Sequence, residues 1–385
     1  MKPLPLFPVT SVGSWPRPPE VREASRQLLR GRIDRHRFDS ITDGAIVELL
    51  RLQEQIGCDI VTDGELRRDN FYSFVADKLE GVRLMTLAEM LDVVEDKAGF
   101  ERLLQTLDVP AYSISSPICT GRIARREPLT VNDLRFARAH TDRPVKVTLP
   151  GPYLLTRAMY VPEVSRPFYP AKEDLAEDVV AILRDELRDP SENGVDFVQF
   201  DEPVLTELAF APGRTRTFMC AALAARNDPA EELEFAVSLI NRVVDGFTSV
   251  RTGVHICRGN WSRDESTLLR GSYQPLVPYL ERLNVQQLVL EYATERAGAV
   301  VAFGGKELGL GVVNPRTEMV ESLDTVIQAV DHALLYHPAD RIFLNPDCGF
   351  GTFSGRPIND SATAASKMRT IVAAAQALRT RASRG

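Results

Sequence analysis

The feature that most constrains this chain is a repeat of eight short β-branched or apolar runs, separated by longer stretches of helical pattern. The runs are 8–12, 59–62, 145–149, 197–200, 253–256, 288–290, 308–313 and 342–344. Short runs apolar on both faces fit strands of a parallel sheet covered by helices on either side. Each run ends in a polar or glycine-rich turn: Gly13-Ser14, Asp63-Gly64-Glu65, Pro150-Gly151-Pro152, Asp201-Glu202-Pro203, Cys257-Arg258-Gly259-Asn260, Glu291-Tyr292, Asn314-Pro315-Arg316 and Asn345-Pro346-Asp347-Cys348. Eight such units, with the chemically unusual residues at the strand C-terminal ends, predict an α/β fold: a (β/α)8 TIM barrel whose site lies on that rim.

Helices are expected between the runs. Residues 230–244 place apolar side chains at three-to-four spacing with acids in the first turn, and 175–187 and 361–378 do likewise. The long interval between the second and third runs exceeds what a minimal barrel needs. Its mixed segment 84–107 and a strand-like pair near 112–124 predict an insertion over about residues 80–140, packed on one rim. No Pro/Gly/Ser tract bounds it, so the chain reads as one domain spanning 1–385, with 379–385 as a frayed tail.

A net charge of -7, from 46 basic and 53 acidic residues, excludes a phosphate-tracking nucleic-acid binder and leaves small-molecule substrates. The apolar stretches are too short to span a bilayer, and the start Met1-Lys2-Pro3-Leu4-Pro5 lacks the core of a signal peptide, so no membrane role and a cytoplasmic location are expected. Five cysteines, at 58, 119, 220, 257 and 348, make no disulfide framework for a chain of this size. Cys58, Cys119 and Cys220 read as small buried apolar side chains.

The other two cysteines read differently. Residues two apart on a strand face the same way, so His255 and Cys257 both point into the barrel mouth. Glu291, ending the sixth run, and Cys348, just past the eighth, complete a set of one imidazole, two thiols and one carboxylate. That set suits a catalytic Zn2+ that holds and activates a thiol. A structural zinc would draw on Cys-x-x-Cys knuckles, which the sequence lacks.

With these residues in place, the sequence resembles the catalytic barrel of cobalamin-independent methionine synthase almost end to end. Gly13-Ser14-Trp15-Pro16-Arg17 is similar to that family's Gly-Ser-Phe-Pro turn, and Asp63-Gly64-Glu65-Leu66-Arg67-Arg68-Asp69 to its His-Gly-Glu segment. Thr141-Asp142-Arg143-Pro144-Val145-Lys146 leads into Pro150-Gly151-Pro152 as the family's third strand does, and Asp201-Glu202-Pro203 resembles its Asp-Glu-Pro. His255-x-Cys257, Glu291 and Asn345-Pro346-Asp347-Cys348-Gly349 match its zinc ligands in identity and order. The resemblance implies methyl transfer to the zinc-held thiolate of homocysteine or a close analogue. It further implies that Glu65 and Asp201 hold the amino group, that Gly13 and Ser14 meet the carboxylate, and that Asp347 orients its neighbouring ligand.

Two departures bear on the methyl donor. The full-length synthases carry an additional N-terminal barrel that helps bind folate, and this sequence has length for one barrel. The family's Asp-x-His-Ser turn after the seventh strand supplies a histidine that assists proton delivery to the folate nitrogen, and Arg316 stands at that place here. Arginine cannot donate a proton at neutral pH. The donor therefore stays open between a folate, a methylcobalamin and another methyl carrier, including one on a partner protein. Two alternatives follow. One is a related zinc enzyme that opens epoxides with coenzyme M, its sulfonate held by Arg316, Arg258 or Arg67. The other is a metal-binding subunit serving a separate methyl-donor protein.

Overall fold

In the computed structural model, residues 3–94, 97, 98, 101, 115–210, 228–260, 262–354 and 358–384 are described. The third to eighth runs form one parallel sheet in sequence order: β3 (Lys146–Pro150), β4 (Phe197–Asp201), β5 (Arg251–Ile256), β6 (Gln287–Leu290), β7 (Glu307–Val313) and β8 (Ile342–Pro346). Every residue of β3, β4, β6 and β8 is buried, which is why these strands read as unbroken runs rather than alternating ones.

The first and second runs differ from the expectation of full strands. Each makes a single parallel bridge, Val9 to Leu344 in β8 and Val61 to Val145 beside β3. Hydrogen bonds continue across the same path. Thr10 N donates to Leu344 O at 3.1 Å, Asp59 N to Val9 O at 2.9 Å, and Lys146 N to Val61 O at 2.9 Å. The physical reason for the short pairing lies in side chains that intercept backbone donors. Pro8 has no N–H, the Val9 N–H goes to the Asp59 carboxylate at 2.8 Å, and the Thr62 N–H goes to Gln53 Oε1 at 3.1 Å.

Between the second run and β3 stands a separate antiparallel pair, β1 (Leu79–Thr86) and β2 (Ser115–Arg125). The expected strand pair near 112–124 is therefore corrected over its described part: from Ser115 onward it belongs to one strand, β2, whose partner comes from 79–86. A bulge separates Glu80 from Val82, at Gly81 with φ 71°, a conformation that favours glycine. Helix Leu87–Val93 follows β1 through a Thr86/Glu89 capping box. Met85, Leu87, Met90, Ile118 and Val161 form a small apolar cluster of their own. Part of the mixed segment 84–107 lies outside the described residues, as does Cys220; Cys58 and Cys119 are buried free thiols.

The expected helices are present as Lys172–Glu192, Pro229–Val244 and Ser361–Ala382. Asp228 and Asp360 cap the latter two, and Asp34 caps Arg35–Ile56, each accepting first-turn N–H groups. The frayed tail is also corrected, because the last helix runs through residues 379–382. Arg379 donates to Leu6 O at 2.7 Å, Phe7 O at 3.1 Å and Asp59 Oδ2 at 2.6 Å, and Arg381 pairs with Asp331. Among the described residues no helix is long and apolar enough to cross a membrane.

Candidate metal and substrate site

His255 is the penultimate residue of β5 and Cys257 follows the strand's end, while Cys348 follows β8 by two residues. All three are buried, and they bring one ligand atom each to within 4.8 Å of one another. The His255 ring is fixed from β6, with Nδ1 3.2 Å from Val289 O. A carbonyl can only accept, so Nδ1 carries the hydrogen and Nε2 is left with its lone pair, buried and without a hydrogen-bond partner. Cys257 Sγ accepts from Gly259 N at 3.1 Å. The neighbouring Cys348 thiol brings the Cys257 thiol down to about 6, against burial, with His255 assisting; Cys348 is pushed up correspondingly. Burial opposes protonation of His255, but Cys257, Asp201 and Glu291 outweigh it and raise the imidazole.

Glu291 lies outside that close trio. Its Oε2 accepts from Arg296 Nη2 at 2.9 Å in an ion pair whose side chains are each 1% exposed, and its Oε1 is buried without a partner. Asp347 sits behind the same turn. Its Oδ1 accepts the N–H groups of Tyr292 and Ala293 at 2.9 and 2.8 Å, which pins the backbone immediately after Glu291. Burial, reinforced by Glu291, pushes the Asp347 carboxyl up to about 7. Gly311 makes room for it, since a Cβ there would overlap Asp347 Oδ1.

The candidate metal-ligating trio opens on a cleft built by five turns. The first turn supplies Val12, Gly13 and Ser14, the second Glu65 and Phe71, and β4 supplies Asp201 with Pro203. Asn260 lines it beside Cys257, and Gly349 and Thr352 beside Cys348. Glu65 takes φ 55°, unusual for a side-chain-bearing residue, and its turn is held by Arg17. That buried guanidinium donates to Glu65 O at 3.0 Å, Arg68 O at 2.9 Å and Gly351 O at 2.6 Å. A Cβ at Gly13 would overlap Glu65 Oε1, and one at Gly349 would overlap Ser14 Oγ. The Asp201 carboxyl is pushed up to about 7 by burial.

Arg316, Arg258 and Arg67 are all committed to protein partners and none lines the cleft. Arg316 is fully buried, with Asn260 Oδ1 at 3.4 Å, Glu265 Oε1 at 3.3 Å and Asp347 Oδ2 at 3.8 Å. Arg258 stacks 3.7 Å over the Tyr273 ring and donates to Gly271 O, Glu291 O and Ala297 O. Arg67 pairs with Asp43 and Asp133.

The sequence reading missed Arg296 as the partner of Glu291, Asn260 as a wall of the cleft, and Lys146 beneath it. Lys146 donates to Ser11 O and to Gln199 Oε1, and burial brings its ammonium down to about 7. A lysine and a glutamine inside otherwise apolar buried runs were the available signal. Arg296 had none, because the pairing with Glu291 depends on how the loop after β6 folds back on itself rather than on any strand or helix spacing.

The sequence profile described as cobalamin-independent synthase, catalytic domain, matches residues 7–377, and the chain belongs to that family. It is similar to proteins named methionine synthase from Sulfurisphaera tokodaii (28% identical over 353 residues, 91% of this chain and 87% of that protein) and Saccharolobus solfataricus (28% over 360 residues, 92% and 91%). The Thermotoga maritima protein named 5-methyltetrahydropteroyltriglutamate–homocysteine methyltransferase is 25% identical over 381 residues, covering 98% of this chain, which spans only 45% of that relative's length. In fold, the chain is similar to a B12-independent methionine synthase from Shewanella sp. W3-18-1 solved in complex with selenomethionine. The TM-score is 0.74 at 22% identity, covering 98% of each chain.

Proposed function

We propose that this protein is a zinc-dependent methyltransferase that passes a methyl group to the thiolate of homocysteine or a close analogue, in a single closed (β/α)8 barrel carrying the β1–β2 pair as an insertion. The observation that carries this reading is the meeting of His255, Cys257 and Cys348 with Glu65 and Asp201 on one cleft. The trio fits a zinc ion: His255 Nε2 is buried with no partner, the two thiols are adjacent, and Glu291 Oε1 is a fourth buried acceptor without a partner. Zinc held there supplies the charge that keeps a substrate thiol ionised at neutral pH. Glu65 and Asp201 hold the substrate ammonium, and the Gly13-Ser14 turn receives its carboxylate. Asp347 and Arg296 keep Glu291 and its loop in place.

The relatives' names support homocysteine as the acceptor. On the donor side, Arg316 supplies no proton, being fully buried, always charged and shared among Asn260, Glu265 and Asp347. A sulfonate-bearing thiol such as coenzyme M is disfavoured, because the three arginines proposed to bind it are occupied within the protein. The test is to measure zinc bound per chain by mass spectrometry and then follow methionine formation from homocysteine with methyltetrahydrofolate and with methylcobalamin. Stoichiometric zinc with methionine formed from one donor is expected; zinc-loaded protein that binds no homocysteine would overturn the reading. Activity appearing only with an added donor protein would assign the chain instead to a subunit role.

A further inference from the structure

The two carboxylates of the proposed ammonium clamp are each held from behind in the same way. Glu65 Oε1 accepts from Thr148 Oγ1 at 2.8 Å, and Thr148 Oγ1 accepts from Arg68 Nη1 at 3.0 Å. Asp201 Oδ1 accepts from Gln199 Nε2 at 2.9 Å, and Gln199 Oε1 accepts from Lys146 Nζ at 3.1 Å. Thr148 and Gln199 are partners in the β3–β4 register, so the two relays start at one level of the sheet. Lys146 and Thr148, and likewise Gln199 and Asp201, are two residues apart and face the same side.

The cations fix the direction of both relays. A hydroxyl has a single proton; with Arg68 donating to the Thr148 oxygen, that proton is left for Glu65. An ammonium can only donate, so Lys146 turns the Gln199 amide oxygen toward itself and the NH2 toward Asp201. Between each cation and its carboxylate stands one neutral group, Thr148 in the first relay and Gln199 in the second. The second Glu65 oxygen, Oε2, is buried with no hydrogen-bond partner, and both acids line the cleft. Direct pairing would have neutralised the acids. The relay instead orients each acid while keeping a cation out of contact with it, which leaves that contact for a ligand's ammonium.

We propose that Thr148 and Gln199, polarised by Arg68 and Lys146, are positioning residues that make this cleft select thiols bearing a primary ammonium group over otherwise identical thiols without one. This rests on the clamp reading of Glu65 and Asp201 given above.

The test is calorimetric titration of the zinc-loaded protein with homocysteine and with 4-mercaptobutyrate, which lacks only the amino group. The unsubstituted protein should prefer homocysteine by at least about tenfold in Kd, as expected for charge-assisted hydrogen bonds. Thr148→Val and Gln199→Met should each reduce that preference several-fold, to within about threefold of parity, with 4-mercaptobutyrate affinity and bound zinc unchanged. Thr148→Ser, which keeps the hydroxyl, should restore the preference. An unchanged preference in both variants, or equal weakening of both ligands, would overturn the proposal. No preference in the unsubstituted protein would instead sink the clamp reading itself. Should Thr148→Val not fold, Gln199→Met carries the same test from the other relay.

Discussion

At Gly13 and Gly349 the cleft is decided by single atoms. A methyl group at Gly13 must displace Glu65 Oε1, so Gly13→Ala should raise KM for homocysteine about tenfold or more through the loss of a charge-assisted contact, with bound zinc unchanged. Steady-state kinetics paired with metal analysis checks this. Glu202 gives a pH signature through a carboxyl turned toward the start of the helix after β3 rather than into the cleft. Burial pushes its carboxyl up to about 8 from an ordinary 4.5, although it accepts the Tyr153 and Leu154 N–H groups at a helix start. The folded state therefore holds a proton that the unfolded chain has released, so this contribution to stability is complete below pH 4.5 and is lost as pH rises toward 8. Glu202→Gln should flatten the fall in unfolding free energy between about pH 5 and about pH 8, measured by urea denaturation. His255 and Cys257 were legible because a spacing of two on a strand is a geometric statement. Lys146, Gln199 and Arg296 were not, because what each touches is set by neighbouring strands and turns.

At the scale of elements, six strands and three helices were legible because burial on both faces and amphipathic periodicity leave direct marks on sequence. The first two runs carry the same marks, yet their pairing is cut to single bridges by Pro8 and by the side chains of Asp59 and Gln53. The end of the chain misleads in the opposite sense. An arginine-rich terminus looks solvated, but the Arg379 guanidinium fastens the last helix to Leu6 and Phe7, just ahead of the first run, and to Asp59 at the start of the second. Arg379→Ala should cost about 1–3 kcal/mol and lower Tm by a few degrees, read by calorimetry. An unchanged Tm would return the tail to the frayed class.

For the whole molecule, the proposed closure of the barrel has its own readout. If the bridged runs complete the ring, the amides of Thr10, Val61 and Lys146, each hydrogen-bonded across a bridged edge, should exchange as slowly as those within β4 and β5. Fast exchange confined to these positions would mean an open sheet. The turn after β8 has a consequence for how copies of the protein are made. It carries both the Cys348 thiol and the Asp347 carboxylate that anchors the loop beyond Glu291, whereas His255 and Cys257 are translated far earlier. A nascent or prematurely terminated chain thus displays a lone imidazole and thiol without the partners that give them grip. Under the zinc reading, metal capture is therefore tied to completion of the chain through its eighth strand.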